Sequence, residues 1–296
     1  MRDSFSDYHP IINFIYFVQV LSFTMFFMHP ICLGISFISA FSYSLYLNGK
    51  KALYFNFKFI FPMLIVTALI NPLFNHEGAT ILTYFKGGNP LTLESIVYGI
   101  AAATMLATII TWFSCYNAIM TSDKFVYLFG KIIPGMSLIL SMTLRFVPRF
   151  KTQLKIVSQA QACMGRDISG PRLMQKARQG IRILSIMVTW ALENSIETAD
   201  SMKSRGYGLP GRTAFSIYTF DKRDRKALVY LLVLGGYILL GSMMKGLYWT
   251  YFPIIRGSRF GPFPASLYLS YLGLTWLPIA INIRGDWEWK AIESKI

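Results

Sequence analysis

Apolar residues in this chain come in long runs broken by short polar punctuation, and the runs predict helices that cross a membrane. The first covers Ile11 to Met28, and Pro30 marks a tight turn into a second, Ile31 to Leu47. A short basic loop with Asn48, Gly49, Lys50, Lys51 and Lys58 leads to a third, Phe59 to Phe74. From Asn75 to Thr92 the chain is polar and turn-rich, with Gly87-Gly88-Asn89-Pro90 as its strongest breaker. The fourth run, Leu93 to Met120, is long enough to span with tilt. Two more follow, Ala227 to Met244 and Ala265 to Ile283, and the loop between them carries Tyr248, Trp249, Tyr251 and Phe252, which suit a water–lipid interface. Since a crossing helix needs about 20 apolar residues, the pattern predicts about six crossings.

The stretch from Thr121 to Lys226 follows a different pattern. It holds 18 of the 29 Lys and Arg residues but only 7 of the 14 Asp and Glu. Phe125 to Leu144 is apolar, yet Gly130, Lys131 and the Pro134-Gly135 pair interrupt it. If the N-terminus is cytoplasmic, four crossings return the chain to the cytoplasm at Thr121. A fifth would export the basic segment, against the tendency of Lys and Arg to stay inside. Phe125 to Leu144 therefore reads as a buried or interfacial helix on the cytoplasmic side. Lys151 to Gly165 reads as one helix, and Pro171 suits the first turn of another. In that second helix apolar residues recur at Leu173, Ala177, Ile181, Leu184, Val188, Leu192, Ile196 and Ala199, one stripe on a rod of about 50 Å. Its opposite face carries Glu193, Glu197 and Asp200, which read as ion-pair partners for basic residues on adjacent helices. Gly206 and Gly208 end it, where glycine takes a left-handed cap. The expected architecture is an all-α membrane protein. Residues 1–120 carry four transmembrane helices, 121–226 form long amphipathic coupling helices in the cytoplasm, and 227–296 add two transmembrane helices and a tail.

Composition strengthens the membrane reading and narrows the chemistry. Of the 296 residues 54% are hydrophobic and 15% charged, too little charge to cover a soluble domain of this size. Mean hydropathy is +0.44. A net charge of +15 would suggest nucleic acid in a soluble protein, but here cytoplasmic Lys and Arg account for it and no nucleic-acid partner is expected. Cys32, Cys115 and Cys163 lie far apart and read as small apolar fillers, and His9, His29 and His76 share no zinc spacing. Met1 to Tyr8 lacks the basic start of a cleaved signal, so the first run is expected to remain as a span.

Gly49-Lys50 and Gly130-Lys131 lack the upstream glycine and the hydroxyl residue of a phosphate-binding loop, so ATP hydrolysis is not expected from this chain. The interiors of the six runs hold no carboxylate, with Glu94 at the edge of the fourth. Ion-driven carriers usually need buried ionisable groups, so a self-sufficient ion-coupled carrier is disfavoured and a neutral-substrate carrier stays open. A membrane enzyme would have to build on Glu193, Glu197 and Asp200 with no histidine nearby.

Both basic helices finish on an arginine beside glycine, in Gly165-Arg166-Asp167 and Ser204-Arg205-Gly206. Glycine lets a partner approach closely and arginine offers a planar fork for a carboxylate, so the tips suit two acidic pockets on another protein. Attraction of the basic helices to anionic lipid is the simpler alternative. Glu193 to Gly206 followed by Tyr207 resembles the second signature of the transmembrane component of energy-coupling factor transporters, a family that includes subunits of cobalt and nickel importers. Gln159 to Asp167 is similar to the first signature, though Asp167 stands where the family carries a small residue. Asn71 to Asn75 and Arg145-Phe146-Val147-Pro148-Arg149 also resemble family segments, so the likeness runs from about Asn71 to Asp224.

The resemblance implies a non-catalytic scaffold in the cell membrane between two ABC-type ATPases, which hold ATP and Mg, and a small membrane subunit that binds a vitamin or metal ion. It implies that Arg166 and Arg205, with Gly165, Ser204 and Gly206 around them, sit in grooves on the ATPases. In the same picture Leu184, Val188 and Leu192 pack against the substrate-binding subunit. The chain itself would bind no cofactor.

Overall fold

The computed structural model describes residues 3–84, 88–130, 133–165, 173–209, 218–258 and 261–293. In chain order its helices are α1 (Pro10–Phe26), α2 (Pro30–Asn48), α3 (Lys50–Phe55), α4 (Phe61–Phe74), α5 (Leu93–Ile119), α6 (Ser122–Gly130), α7 (Pro134–Cys163), α8 (Leu173–Ser204), α9 (Lys222–Met243), α10 (Pro262–Thr275) and α11 (Leu277–Glu293). Two short antiparallel ribbons accompany them: β1 (Ile81–Tyr84) pairs with β2 (Pro90–Thr92), and β3 (Trp249–Thr250) with β4 (Arg256–Gly257). The chain divides into two compact units, residues 1–121 with 218–296, and residues 122–217.

The first unit is a helical bundle built for lipid. Among its described residues four stretches are long and apolar enough to cross a membrane: Pro30–Asn48, Lys50–Phe74, Leu93–Ile119 and Lys222–Met243. The pair α10 and α11, bent by 52°, makes a fifth if taken as one span, and α1 is a shorter apolar helix of 17 residues. The expected basic loop reaching Lys58 is instead helical. Gly49 (φ +53°) caps α2 and the chain turns at once into α3, which joins α4 through a π turn at Asn56–Ile60. Lys58 stays in this apolar stretch because its ammonium donates to the Tyr54 hydroxyl at 2.8 Å and lies over the Tyr54 and Phe59 rings.

α1 sits at the centre. Its Ile12, Tyr16, Phe17, Val20 and Phe23 are buried against Tyr43 of α2, Trp112 and Cys115 of α5, Leu231 and Ile238 of α9, and Leu267 and Tyr271 of α10. Both α1 and α2 begin at a His-Pro pair whose imidazole caps the helix: His9 Nδ1 accepts from Ile11 N–H and His29 Nδ1 from Ile31 N–H, each at 3.3 Å. Several polar side chains inside the bundle satisfy one another, since hydrocarbon provides no partner. Trp112 Nε1–H donates to Ser36 Oγ (3.0 Å), which lies 2.9 Å from Thr24 Oγ1, and Thr24 donates to the Val20 carbonyl (2.7 Å). Ser36 therefore supplies the proton in the middle link. Ser39 Oγ donates to Thr275 Oγ1, and Tyr16 Oη to the Thr275 carbonyl, tying α1 and α2 to the end of α10.

The two ends of the bundle are held differently. At one end the α1–α2 turn, the β1–β2 ribbon and the β3–β4 ribbon interlock. Tyr251 Oη donates to the Met28 carbonyl (2.7 Å), Trp249 meets His29 edge-on at 4.8 Å, and Ala79 N–H donates to the Pro253 carbonyl (3.1 Å). The aromatic loop expected at a lipid interface is thus partly a structural clasp: Tyr251 is buried, while Tyr248 is exposed. At the other end the N-terminal segment folds into the core. Phe5 is fully buried and its N–H donates to Asn282 of α11, whose amide in turn donates to Asp3. Burial raises the Asp3 carboxyl above the usual carboxylate range, and the Asn282, Phe5 and Tyr43 donors offset only part of that rise. His9 N–H donates to Asp224 of α9 at this same end.

α4 and α5 approach closely along the segment Asn71 to Asn75. Ser95 Oγ donates to the Asn75 carbonyl (2.6 Å), and Glu94 accepts from both the N–H and the hydroxyl of Thr80. A Cβ on Gly99 would lie 2.8 Å from the backbone carbonyl of Ala68, an atom that cannot swing away, whereas a Cβ on Gly34 would meet nothing within 4 Å. Gly99→Ala is therefore expected to destabilise the bundle by about 1–3 kcal/mol and lower its thermal unfolding midpoint in detergent. Gly34→Ala is expected to be neutral or slightly stabilising in the same measurement.

Candidate coupling site

The second unit is built from α6, α7 and α8. The apolar segment Phe125–Leu144 is not one helix: α6 ends at Gly130 and α7 begins at Pro134, where a proline fits the first turn. The helix expected from Lys151 to Gly165 accordingly starts much earlier and runs 30 residues from Pro134 to Cys163, through an internal Pro148. Cys163 is exposed at its end rather than an apolar filler, while Cys32 and Cys115 are buried in the first unit.

α7 and α8 pack through a short crossing. Val157, Ile183 and Met187 are buried together, Phe150 and Trp190 meet edge-on at 5.2 Å, and the Arg149 guanidinium lies 5.6 Å over the Trp190 ring. Partners fall along α7 as they rise along α8, so the helices are antiparallel and their C-terminal tips point in opposite directions. At 1.5 Å per residue the α7 tip lies roughly 12 Å beyond the crossing and the α8 tip roughly 27 Å. The first half of α7 and the last turns of α8 leave between them a cavity of about 1000 Å³, lined by Arg145, Phe146, Arg149, Glu197, Arg205 and Tyr207 among others.

This packing uses a different face of α8 from the stripe picked out in the sequence. Ile183, Met187, Trp190 and Asn194 turn inward, and Ile181, Leu184, Val188 and Leu192 stay 68%, 62%, 51% and 63% exposed. Ile196 is equally uncovered, and the Leu173 side chain lies outside the described residues. The stripe lies on the helix as expected, and among the described residues nothing covers it. The inward face carries its own i, i+4, i+7 series in Ile183, Met187 and Trp190, a signal present in the sequence beside the longer stripe. Glu193, Glu197 and Asp200 were expected in ion pairs. Among the described residues none of the three makes one, because each projects from α8 into solvent or, for Glu197, into the cavity.

The C-terminus of α8 explains why Arg205 is followed by glycine. Gly206 N–H donates to the Lys203 carbonyl (3.0 Å) and Tyr207 N–H reaches back to Met202 (3.0 Å). This paired closure requires a left-handed residue after the cap, and Gly206 has φ +79°. Arg205 is the cap residue itself, with an exposed side chain, and Ser204 is tied down by donating to the Ser201 carbonyl at 2.9 Å. At the end of α7, Gly165 takes the matching position, with φ +72° and its N–H on the Ala162 carbonyl (2.9 Å). Here the arginine follows the glycine instead of preceding it. Arg166, together with Asp167 and Pro171, lies outside the described residues. Among the described residues no three His, Cys, Asp or Glu side chains come close enough to hold a metal ion.

Comparison with known proteins places this geometry. The pattern of the family described as CbiQ, cobalt transport protein, matches residues 8–215. The chain is similar to the energy-coupling factor transporter transmembrane protein EcfT of Lactobacillus helveticus, 34% identical over 110 residues, which is 36% of this chain and 39% of that protein. It is 29% identical to the protein of the same name from Streptococcus thermophilus over 137 residues, 46% of this chain and 52% of the relative. These two matches span only about two-fifths to half of the relatives' length. A longer match, 26% identical over 238 residues, covers 74% of this chain and 86% of the EcfT protein of Macrococcus caseolyticus. With a bundle of apolar helices, a separate pair of crossed amphipathic helices and a family match across most of its length, the chain belongs to the CbiQ family, that of the transmembrane component of energy-coupling factor transporters.

Proposed function

We propose that this protein is the coupling scaffold of an importer of a vitamin or metal ion, carrying ATP-driven motion from two ATPase subunits to a small substrate-binding membrane subunit. The observation that carries the reading is the stripe Ile181, Leu184, Val188, Leu192 and Ile196 on α8, exposed among the described residues, beside a glycine-capped helix end that presents Arg205. In this reading the bundle crosses the cytoplasmic membrane about six times with both termini inside. Residues 121–226 form the coupling region in the cytoplasm. Arg205, flanked by Ser204 and Gly206, seats in one ATPase, and Arg166, beside Gly165, seats in the other. The opposed directions of the α7 and α8 tips support two separate ATPase contacts.

Leu184, Val188 and Leu192 then cover a surface of the substrate-binding subunit. Full burial of a large apolar side chain is worth roughly 1.5–3 kcal/mol. Three to five of them roughly match the 4–15 kcal/mol that association costs in lost freedom. Such a contact holds without being permanent, as a subunit that tilts or exchanges requires.

Arg205→Glu is expected to abolish co-purification of an ATPase subunit and lower uptake at least about tenfold, since an unpaired buried charge costs several kcal/mol. Membrane insertion is expected to stay normal, and wild-type uptake by this variant overturns the role. Replacing Leu184 and Leu192 together by Glu is expected to give the complementary result in affinity purification, with the ATPases retained and the small membrane subunit lost. A stand-alone carrier is distinguished by liposomes: uptake by the purified chain without ATPases contradicts the scaffold.

A further inference from the structure

The start of α9 carries the run Asp221-Lys222-Arg223-Asp224-Arg225-Lys226, and the structure divides its charges into two groups. Both carboxylates serve the backbone. Asp221 and Asp224 form a reciprocal capping box, and Asp224, buried, also accepts from His9 N–H. Arg223 is taken up by the N-terminal segment, donating to the Asp7 carbonyl (3.2 Å) with its guanidinium 4.2 Å over the Tyr8 ring. Lys222, Arg225 and Lys226 remain, all exposed and none in an ion pair among the described residues. They share one face of α9 and open onto a groove of about 820 Å³ that continues along Val229, Tyr230 and Val233.

This groove is amphipathic along the helix axis rather than around it. Three cations occupy its first turns, reinforced by the positive end of the helix. Below them Val229 and Val233 are more than half exposed in a stretch long and apolar enough to span a membrane. Tyr230 is fixed as part of the wall because its hydroxyl donates to the Gly273 carbonyl of α10 (3.2 Å). From Lys222 to Val233 the face extends roughly 16 Å. A water-soluble partner gains nothing from an apolar tail pointing into hydrocarbon. A molecule with a phosphate at one end and an acyl chain at the other matches both halves along the membrane normal.

We propose that the α9 groove is a binding site for an anionic phospholipid, with Lys222, Arg225 and Lys226 on its phosphate and one acyl chain along Val229, Tyr230 and Val233. The full-length protein is purified in mild detergent, reconstituted in nanodiscs of phosphatidylcholine and phosphatidylglycerol, re-extracted, and its retained lipid measured by native mass spectrometry. Wild type is expected to retain phosphatidylglycerol selectively. The triple variant Lys222→Gln, Arg225→Gln, Lys226→Gln is expected to lose that retention roughly tenfold to a hundredfold, three basic residues at a membrane surface being involved. Lys50→Gln, Lys51→Gln, Lys58→Gln removes the same charge from another helix and is expected to retain lipid like wild type. Val233→Trp fills the apolar half with every charge in place and is expected to lose retention as well, which decides the matter if the triple variant does not fold. Wild-type retention in the triple variant or in Val233→Trp, or equal loss in the Lys50, Lys51 and Lys58 control, overturns the proposal. Displacement of the lipid by inorganic phosphate alone also overturns it, since the site would then need no acyl chain.

Discussion

The interior of a bilayer offers no hydrogen-bond partner, and the first unit is organised around that constraint. Its outer faces are aromatic and aliphatic, and several of its interior polar side chains satisfy one another in short chains that end on backbone carbonyls. The relay from Trp112 through Ser36 and Thr24 to Val20 joins α5, α2 and α1 in one such chain, and Ser39 and Tyr16 attach the same helices to Thr275. Individual hydrogen bonds of this kind between membrane helices are worth only about 1 kcal/mol. Their larger effect is on specificity, because any other arrangement leaves a donor unpaired in hydrocarbon. The bend between α10 and α11 falls at Thr275 and Trp276, where the Thr275 hydroxyl and carbonyl are both engaged by neighbours.

The second unit has a different composition. Its helices carry far more charge, join through a small cluster around Val157, Ile183 and Met187, and leave a row of aliphatic side chains uncovered. Such a row is costly in water, and among the described residues nothing covers it. A surface of this kind marks a place where another protein or a membrane completes the structure. The glycine-closed helix ends fit the same logic, since each stops its helix abruptly and presents backbone that a partner can approach. Basic residues are likewise sorted by what surrounds them. Arg223 holds the N-terminal segment and Arg149 lies over the Trp190 ring, while Arg205 and the face formed by Lys222, Arg225 and Lys226 stay exposed.

Much of this was legible from residue order alone. The apolar runs fall on helices of the bundle, of which four, or five with the bent pair, are long and apolar enough to cross a membrane among the described residues, and Gly206 and Gly208 take the positive φ expected of them. Boundaries failed where sequence signals were outvoted by packing. Lys50, Lys51 and Lys58 looked like a loop, yet their long stems let them ride on a helix whose body is apolar. The N-terminal segment reads only as lacking the basic start of a cleaved signal, and its packing through Phe5 and the Asp3–Asn282 contact has no signal in the sequence. His9 and His29 offered no metal spacing, and their role as caps depended on reading each together with the proline that follows.

Sequence by itself determined that this chain lives in a membrane, carries a long amphipathic rod, and ends that rod on an arginine held by glycine. Those properties follow from periodicity and from backbone rules that operate over a few residues. Tertiary structure alone decided which of the two apolar faces of α8 would be spent inside the protein. Both faces have helical spacing, and only the presence of Phe150 and Val157 of α7 at the crossing selects Ile183, Met187 and Trp190 over Leu184 and Val188. The fate of some charges was decided the same way: the Asp221–Asp224 capping box is local, but Arg223 and Asp224 also meet Asp7 and His9, more than 200 residues away in the chain.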